Sequence, residues 1–167
     1  MTEPRNETRI WTQRHIAASA ADIFAVLCDP QGHVAIDSSG MLQDAAGDPV
    51  GAAGDSFTVK MDREALNDYP EMGEYDVTVT IRDFEPDRLI SWTVLGRVRP
   101  QIGHVYGYEL EQDAESGGTR VTSFYDWSDI APEWRDAGIL PVLSENALRA
   151  TLGILDRAVR RGYPRPN

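Results

Sequence analysis

The chain has 167 residues, 41% hydrophobic and 26% charged, with a formal net charge of −11. That length holds one ordinary core, and the composition is that of a globular protein rather than a disordered one. Acidic residues outnumber basic ones 27 to 16, which repels phosphate backbones and anionic lipid, so nucleic acid is not an expected partner.

No apolar run approaches the ~20 residues that span a bilayer, so no membrane insertion is expected. The start, MTEPRNETRI, has neither a basic n-region nor an apolar h-region, and the chain reads as cytoplasmic. Cys28 is the single cysteine, which excludes an intrachain disulfide and a Cys-rich zinc site. The histidines, His15, His33 and His104, stand in no metal-ligand spacing; neither metal nor cofactor is expected. The only basic cluster, Arg157, Arg160 and Arg161, falls near a helix C-terminus, where cations complement the helix dipole.

In chain order, residues 8–17 alternate as a strand, with Ile10, Thr12, Arg14 and Ile16 on one face. Ser19 is a good N-cap for a helix bearing Ile23, Phe24 and Leu27, and Asp29-Pro30 ends it. A single turn or short helix is expected around residues 34–37, then a loop. Gly47, Gly51 and Gly54 occupy a stretch with neither GK[ST] nor GxGxxG, which reads as a turn and not a phosphate cradle. Strands follow at 57–61, 74–84, 89–95, 104–112 and 119–127, separated by turn residues and by a polar connection containing Pro70 and Gly73. The last element is a helix starting at Pro141 or Ser144 and ending near Arg161. Its apolar set, Ala147, Leu148, Thr151, Leu152, Leu155, Ala158 and Val159, forms one wide face. Gly153 lies inside it at a cost of ~1 kcal/mol relative to Ala, which invites a packing reason.

A strand, a short helical pair, a run of antiparallel strands and one long amphipathic helix make an α+β arrangement. A curved sheet of this size needs the long helix across its concave face. The segments HIAASAADIFAVLCDPQGH, VTIRDFEPDRLISWTV and YGYELEQDAESGGTRVTSFYDWS, in this order before the closing helix, resemble the polyketide cyclase/dehydrase-like proteins of the START/Bet v 1-like (SRPBCC) superfamily. The resemblance covers about residues 8–161. It implies a single helix-grip domain over residues 1–167, its curved antiparallel sheet wrapped around the C-terminal helix, with two short helices near the N-terminus. It also implies a deep cavity between sheet and helix for sterols, lipids, polyketides and similar molecules. No catalytic motif runs through the superfamily, so the resemblance supplies a pocket without a reaction.

Strand parity assigns residues to that cavity. Leu110 and Val121 face in because their neighbours Glu109, Glu111, Arg120 and Thr122 suit solvent. The same parity turns His104, Tyr106 and Tyr108 inward, with Ser123, Tyr125 and Trp127 beside them. Trp92 faces in with Ile90 and Val94, Phe57 with Val59 and Met61, and Tyr75 with Val77 and Val79. Four inward tyrosines and a histidine need hydrogen-bond partners if buried, which a ligand with carbonyl or phenolic oxygens would supply. His33 and Asp37 are expected at the cavity mouth or on the surface.

Without a GxSxG elbow or an HExxH pair, nucleophilic and metal chemistry are disfavoured. Proton transfer by His104 or Tyr106 in a dry pocket is chemically feasible. The sequence therefore supports first a binder of a hydrophobic small molecule, second a cyclase, aromatase or dehydratase using the same cavity. A third reading is an interaction protein with a vestigial pocket.

Overall fold

The computed structural model describes residues 8–164. Its elements are β1 (Arg9–Ile16), α1 (Ala20–Cys28), α2 (Pro30–Ile36), β2 (Leu42–Ala46), β3 (Ser56–Asp62), β4 (Glu74–Glu85), β5 (Leu89–Leu95), β6 (Val105–Gln112), β7 (Thr119–Asp126), α3 (Pro132–Ala137) and α4 (Glu145–Arg161). The strands form one seven-stranded antiparallel sheet in the order β1-β7-β6-β5-β4-β3-β2. This is the α+β helix-grip architecture: α4 packs on β1 and β7, α2 on the β2–β3 edge, and α1 against β6 and the other two helices.

The caps explain the helix boundaries. Ser19 Oγ accepts from the Asp22 N–H at 3.1 Å, and Ser144 Oγ accepts from the Ala147 N–H at 3.2 Å. Each satisfies a backbone donor that an α-helix leaves free in its first turn. Asp29 ends α1, but its carboxylate also accepts from the Gln31 N–H and Pro30 takes the first position of the next helix. Proline is tolerated there because that N–H is unpaired in any case. The expected short helix is therefore present but begins four residues earlier, at Pro30, where the sequence reading placed only a stop. Gly32 lets the two helices touch, since a Cβ there would lie 1.9 Å from the Val26 carbonyl oxygen.

Two elements were not foreseen. β2 is short and mostly polar, and it is specified by pairing with β3 rather than by its own pattern. α3 is a six-residue helix whose neighbourhood is fixed by long-range contacts. The Trp134 Nε1–H donates to the Pro100 carbonyl at 2.7 Å, and the Ala131 N–H donates to the Ile102 carbonyl at 3.0 Å.

A bulge in β4 alters the alternation. Ile81 pairs with Trp92 but Phe84 pairs with Ile90, so Arg82 and Asp83 together oppose Ser91. The extra residue brings Phe84 rather than Asp83 to the inner face, where it meets Phe24 edge-on at 5.4 Å. The buried Ser91 hydroxyl accepts from the Asp83 N–H at 3.1 Å and donates to the Asp83 carboxylate at 3.0 Å, which secures the bulge.

The core lies between the concave face and the helices, with Ile16, Ile23, Leu27, Ile81, Ile90, Val121, Leu152 and Leu155 fully or almost fully buried. Cys28 belongs to it, and burial pushes its thiol up to about 11, away from reactivity. On α4 the polar exception is Asp156, buried against β1. It accepts from Arg14 Nε at 2.7 Å and from Arg160 Nε at 2.8 Å.

Candidate functional site

The inner faces of β5, β6 and β7 carry an aromatic wall. Trp92 lies directly opposite Tyr106, and Tyr106 directly opposite Tyr125. Because paired residues share a face, the three rings form a row across the sheet. Trp92 stacks on Tyr106 at 6.2 Å between centroids and 12° between planes, and on Tyr108 at 5.9 Å. Tyr125 lies 4.8 Å from Tyr106 and 5.4 Å from Trp127. Ser123 faces Tyr108 across β6 and β7.

His104 precedes β6 and keeps the inward parity. Its ring is 5.1 Å from Tyr106 and 5.5 Å from Tyr125, and Nδ1 lies 2.6 Å from the Tyr125 hydroxyl. Burial pushes the imidazole down to about 4, so it is neutral at pH 7. The neutral ring and the Tyr125 hydroxyl are thus hydrogen-bonded, and which of the two donates is set by the ring's tautomer. The Val142 backbone N–H approaches the same phenol oxygen from the segment before α4, which lowers the Tyr125 hydroxyl while burial raises it more.

Polar partners on the wall thus come largely from the protein. Tyr125 has His104, the Ser123 side chain interacts with the Tyr108 hydroxyl, and the Tyr75 hydroxyl interacts with Arg63. The sequence reading assigned these needs to a ligand. Among the described residues, the buried side-chain polar atom without a hydrogen-bond partner is the Thr93 hydroxyl oxygen on β5. Burial raises the Tyr106 phenol further from ionisation.

Phe57 reaches the wall through an intermediary. His33, in α2, meets Phe57 at 5.0 Å and Trp92 at 4.7 Å, both edge-on, and is 7% exposed. It is therefore an interior residue, not one of the mouth or the surface. Pro30, His33 and Ile36 recur at three-residue spacing and share the buried face of α2, a signal the sequence contained. His33 Nε2 lies 2.8 Å from the Leu27 carbonyl oxygen, and burial pushes this ring also down to about 4. Asp37 shapes a turn, its carboxylate accepting from the Ser39 N–H, the Ser39 hydroxyl and the Leu42 N–H. Tyr75 is separate from the stacked rings; it lies half-buried beneath Arg97, whose guanidinium carbon is 4.9 Å from the ring centre.

Most of the wall is buried, while Tyr106 and Trp127 are partly exposed. Trp92, Tyr108, His104 and Tyr125 are 9%, 5%, 7% and 0% exposed. Two open clefts of about 510 and 700 Å³ lie elsewhere, around outward side chains near the β6–β7 turn, sharing Gln13, Glu111, Gln112 and Arg120. Neither is lined by a residue of the aromatic wall. No group of three or more His, Cys, Asp or Glu among the described residues is arranged to hold a metal, and none of their helices is long and apolar enough to cross a membrane.

The fold is the START/Bet v 1-like, polyketide cyclase-like helix-grip, as solved structures of the same architecture show. The Zhui aromatase/cyclase of a Streptomyces species superposes with a TM-score of 0.64 over 92% of this chain and 93% of its own, at 16% identity. The Aha1 protein of Colwellia psychrerythraea, a dimer in solution, gives a TM-score of 0.59 over 93% of this chain and 98% of its own, at 18% identity. In sequence, the uncharacterised protein Rv0088 of Mycobacterium tuberculosis is 28% identical over 120 residues, 71% of this chain and 47% of that protein. The chain thus spans about half the length of the curated relatives it matches. No family model matches the sequence.

Proposed function

We propose that the chain binds a hydrophobic small molecule against the concave aromatic wall, with Phe57, Tyr75, Trp92, His104, Tyr106, Tyr108, Ser123, Tyr125 and Trp127 as the contact residues. The carrying observation is the row of rings Trp92, Tyr106 and Tyr125 across the inner face, with a buried histidine hydrogen-bonded to Tyr125 beside it. Flat rings such as Trp92 and Tyr106 suit a planar or aromatic molecule. Tyr106 and Trp127 are the partly exposed rings of the wall, so a ligand would approach from their side. Residues 8–161 would form the self-sufficient folding unit for this task.

Native mass spectrometry of freshly purified protein tests the reading. A retained compound of a few hundred daltons, released on denaturation, is the expected result. Protein that carries no such mass and that binds none of a panel of aromatic and acyl compounds overturns it.

One observation favours a second reading, catalysis at the same wall. His104 is held neutral and hydrogen-bonded to the Tyr125 phenol, and a neutral imidazole is the form that can accept a proton. The Zhui protein is an aromatase/cyclase by name. Under this reading His104 and Tyr106 transfer protons to and from a bound ketone.

A further inference from the structure

We propose that the end of the sheet bearing the β3–β4, β5–β6 and β7–α4 connections is a docking surface for a protein partner. The partner's contact segment is amphipathic, apolar along its centre and basic at its flanks. The surface is separate from the residues of the aromatic wall and serves a partner whether or not the wall holds a ligand.

Topology gathers the surface. In the antiparallel sheet, residues 63–73, 96–104 and 127–144 all connect strands at one end, and residues 37–41 enter β2 there. Hydrogen bonds tie these connections to one another. Arg97 donates to the Met72 carbonyl, Trp134 Nε1–H to the Pro100 carbonyl and the Ala131 N–H to the Ile102 carbonyl. Leu66 lies against the 37–41 connection, since a Cβ at Gly40 would come within 3.1 Å of its Cδ1.

Six large apolar side chains are exposed among the described residues, and five of them, Leu66, Tyr69, Leu95, Ile139 and Val142, stand at this end. The sixth, Trp11, is on β1 opposite Phe124, on the outer face of the sheet. The other end, with its turns at residues 47–55, 86–88 and 113–118, carries none among the described residues. Single exposed apolar residues are ordinary, but a group gathered on one surface marks a place of association.

Charge selects the occupant. The cations at this end are committed: Arg63 forms a bidentate pair with Asp68, and Arg97, Arg99 and Arg135 donate to backbone carbonyls. The acids are in surplus. Among the described residues no cation pairs with Glu64, Glu71, Glu133 or Asp136. An apolar cluster fringed by unpaired carboxylates is complementary to an apolar segment fringed by Lys and Arg. The same carboxylates repel anionic lipid, an acidic protein and a second copy of this chain, while a neutral bilayer offers them no partner.

Two synthetic peptides of about five helical turns test the assignment, sharing one leucine stripe and carrying either lysine or glutamate elsewhere. Each is titrated into the full chain labelled with nitrogen-15. The lysine peptide should shift the backbone amides of residues 64–72 and 133–145 and bind at least about tenfold more tightly than the glutamate peptide. Its affinity should fall by about tenfold between about 0.1 and 1 M salt, where the Debye length shrinks from ~10 to ~3 Å. Leu66→Ser combined with Val142→Ser should weaken it by about tenfold, whereas Trp11→Ser should leave it unchanged. All three positions are exposed, so the substitutions leave the core intact. Equal binding of the two peptides, shifts centred on another face, unchanged affinity in the double variant, or no binding overturns the proposal. Sedimentation and flotation identify the rival occupants. A dimer that the double variant disperses assigns the surface to a second copy, and co-flotation with phosphatidylcholine vesicles assigns it to a bilayer. Either result overturns the assignment to a basic protein partner.

Discussion

The two interior histidines make pH the most direct probe of individual residues. Both rings are held near 4, against about 6.5 for an unperturbed imidazole, and burial of the neutral form is the cause. Between about pH 6.5 and 4 the unfolded chain therefore binds more protons than the folded one, so stability rises with pH in that window. The contribution is complete above about pH 6.5 and lost by about pH 4, on the order of 3 kcal/mol for each histidine. Urea midpoints measured from pH 8 to 4.5 should be flat at first and then fall, and His33→Phe should fall less steeply. A midpoint independent of pH between 6.5 and 5 would show that neither ring is buried in its neutral form. His104 also separates the two functional readings. His104→Gln keeps a polar side chain but cannot carry protons near neutrality. Affinity within about tenfold supports binding, whereas turnover lowered by about 10² to 10⁴ with binding retained supports catalysis.

At the scale of the element, α4 contains a glycine that its packing does not require. A Cβ at Gly153 would meet only the end of the flexible Arg14 side chain, Nη1 at 3.7 Å, which is an ordinary contact. The packing reason expected from the sequence is absent, so Gly153→Ala should stabilise the fold by roughly 0.5–1 kcal/mol in thermal or urea unfolding. Gly107 in β6 is the opposite case. A Cβ there would come within 2.3 Å of the Phe124 ring and 2.9 Å of the Ile90 carbonyl oxygen, and the second of these is backbone. Gly107→Ala should cost about 1–3 kcal/mol, the usual range for overpacking, and a neutral result would mean that Phe124 is free to move aside. Phe124 itself is buried on the outer face, where the Arg9 guanidinium lies 4.2 Å above its ring.

For the whole molecule, the arrangement of helices over the sheet decides whether the wall can be used. α4 covers β1 and β7, while α2 reaches Trp92 and Phe57 through His33. α2 also packs on α4, so its residue Ile36 belongs to the same core as Leu152 and Leu155. Trp92→Ala should weaken an aromatic ligand by a few kcal/mol, the scale of a lost buried ring. Unchanged affinity, measured by calorimetry, would mean that the ligand lies elsewhere, and the outward clefts near Arg120 would be the next place to look.

The sequence by itself determined the strands with clean period-two alternation, the N-cap at Ser19, the wide face of α4 and the inward parity of β3 to β7, while the structure chose Ser144 over Pro141 as the start of α4. Each is a local property, set by which side chains can face water and which backbone donors lack partners. Tertiary structure alone decided the rest. β2 and α3 have weak patterns of their own and are held by β3 and by residues 100–102. The β4 bulge places Phe84 inward through a pairing across strands that no single-strand pattern records. The site followed the same division. Parity brought Trp92, Tyr106, Tyr108, Tyr125 and His104 to one face, but the hydrogen-bond partner of His104, Tyr125, lies twenty-one residues away. The place of His33 depends on where α2 lies over the sheet, because only packing brings a histidine near the N-terminus against rings from β3 and β5.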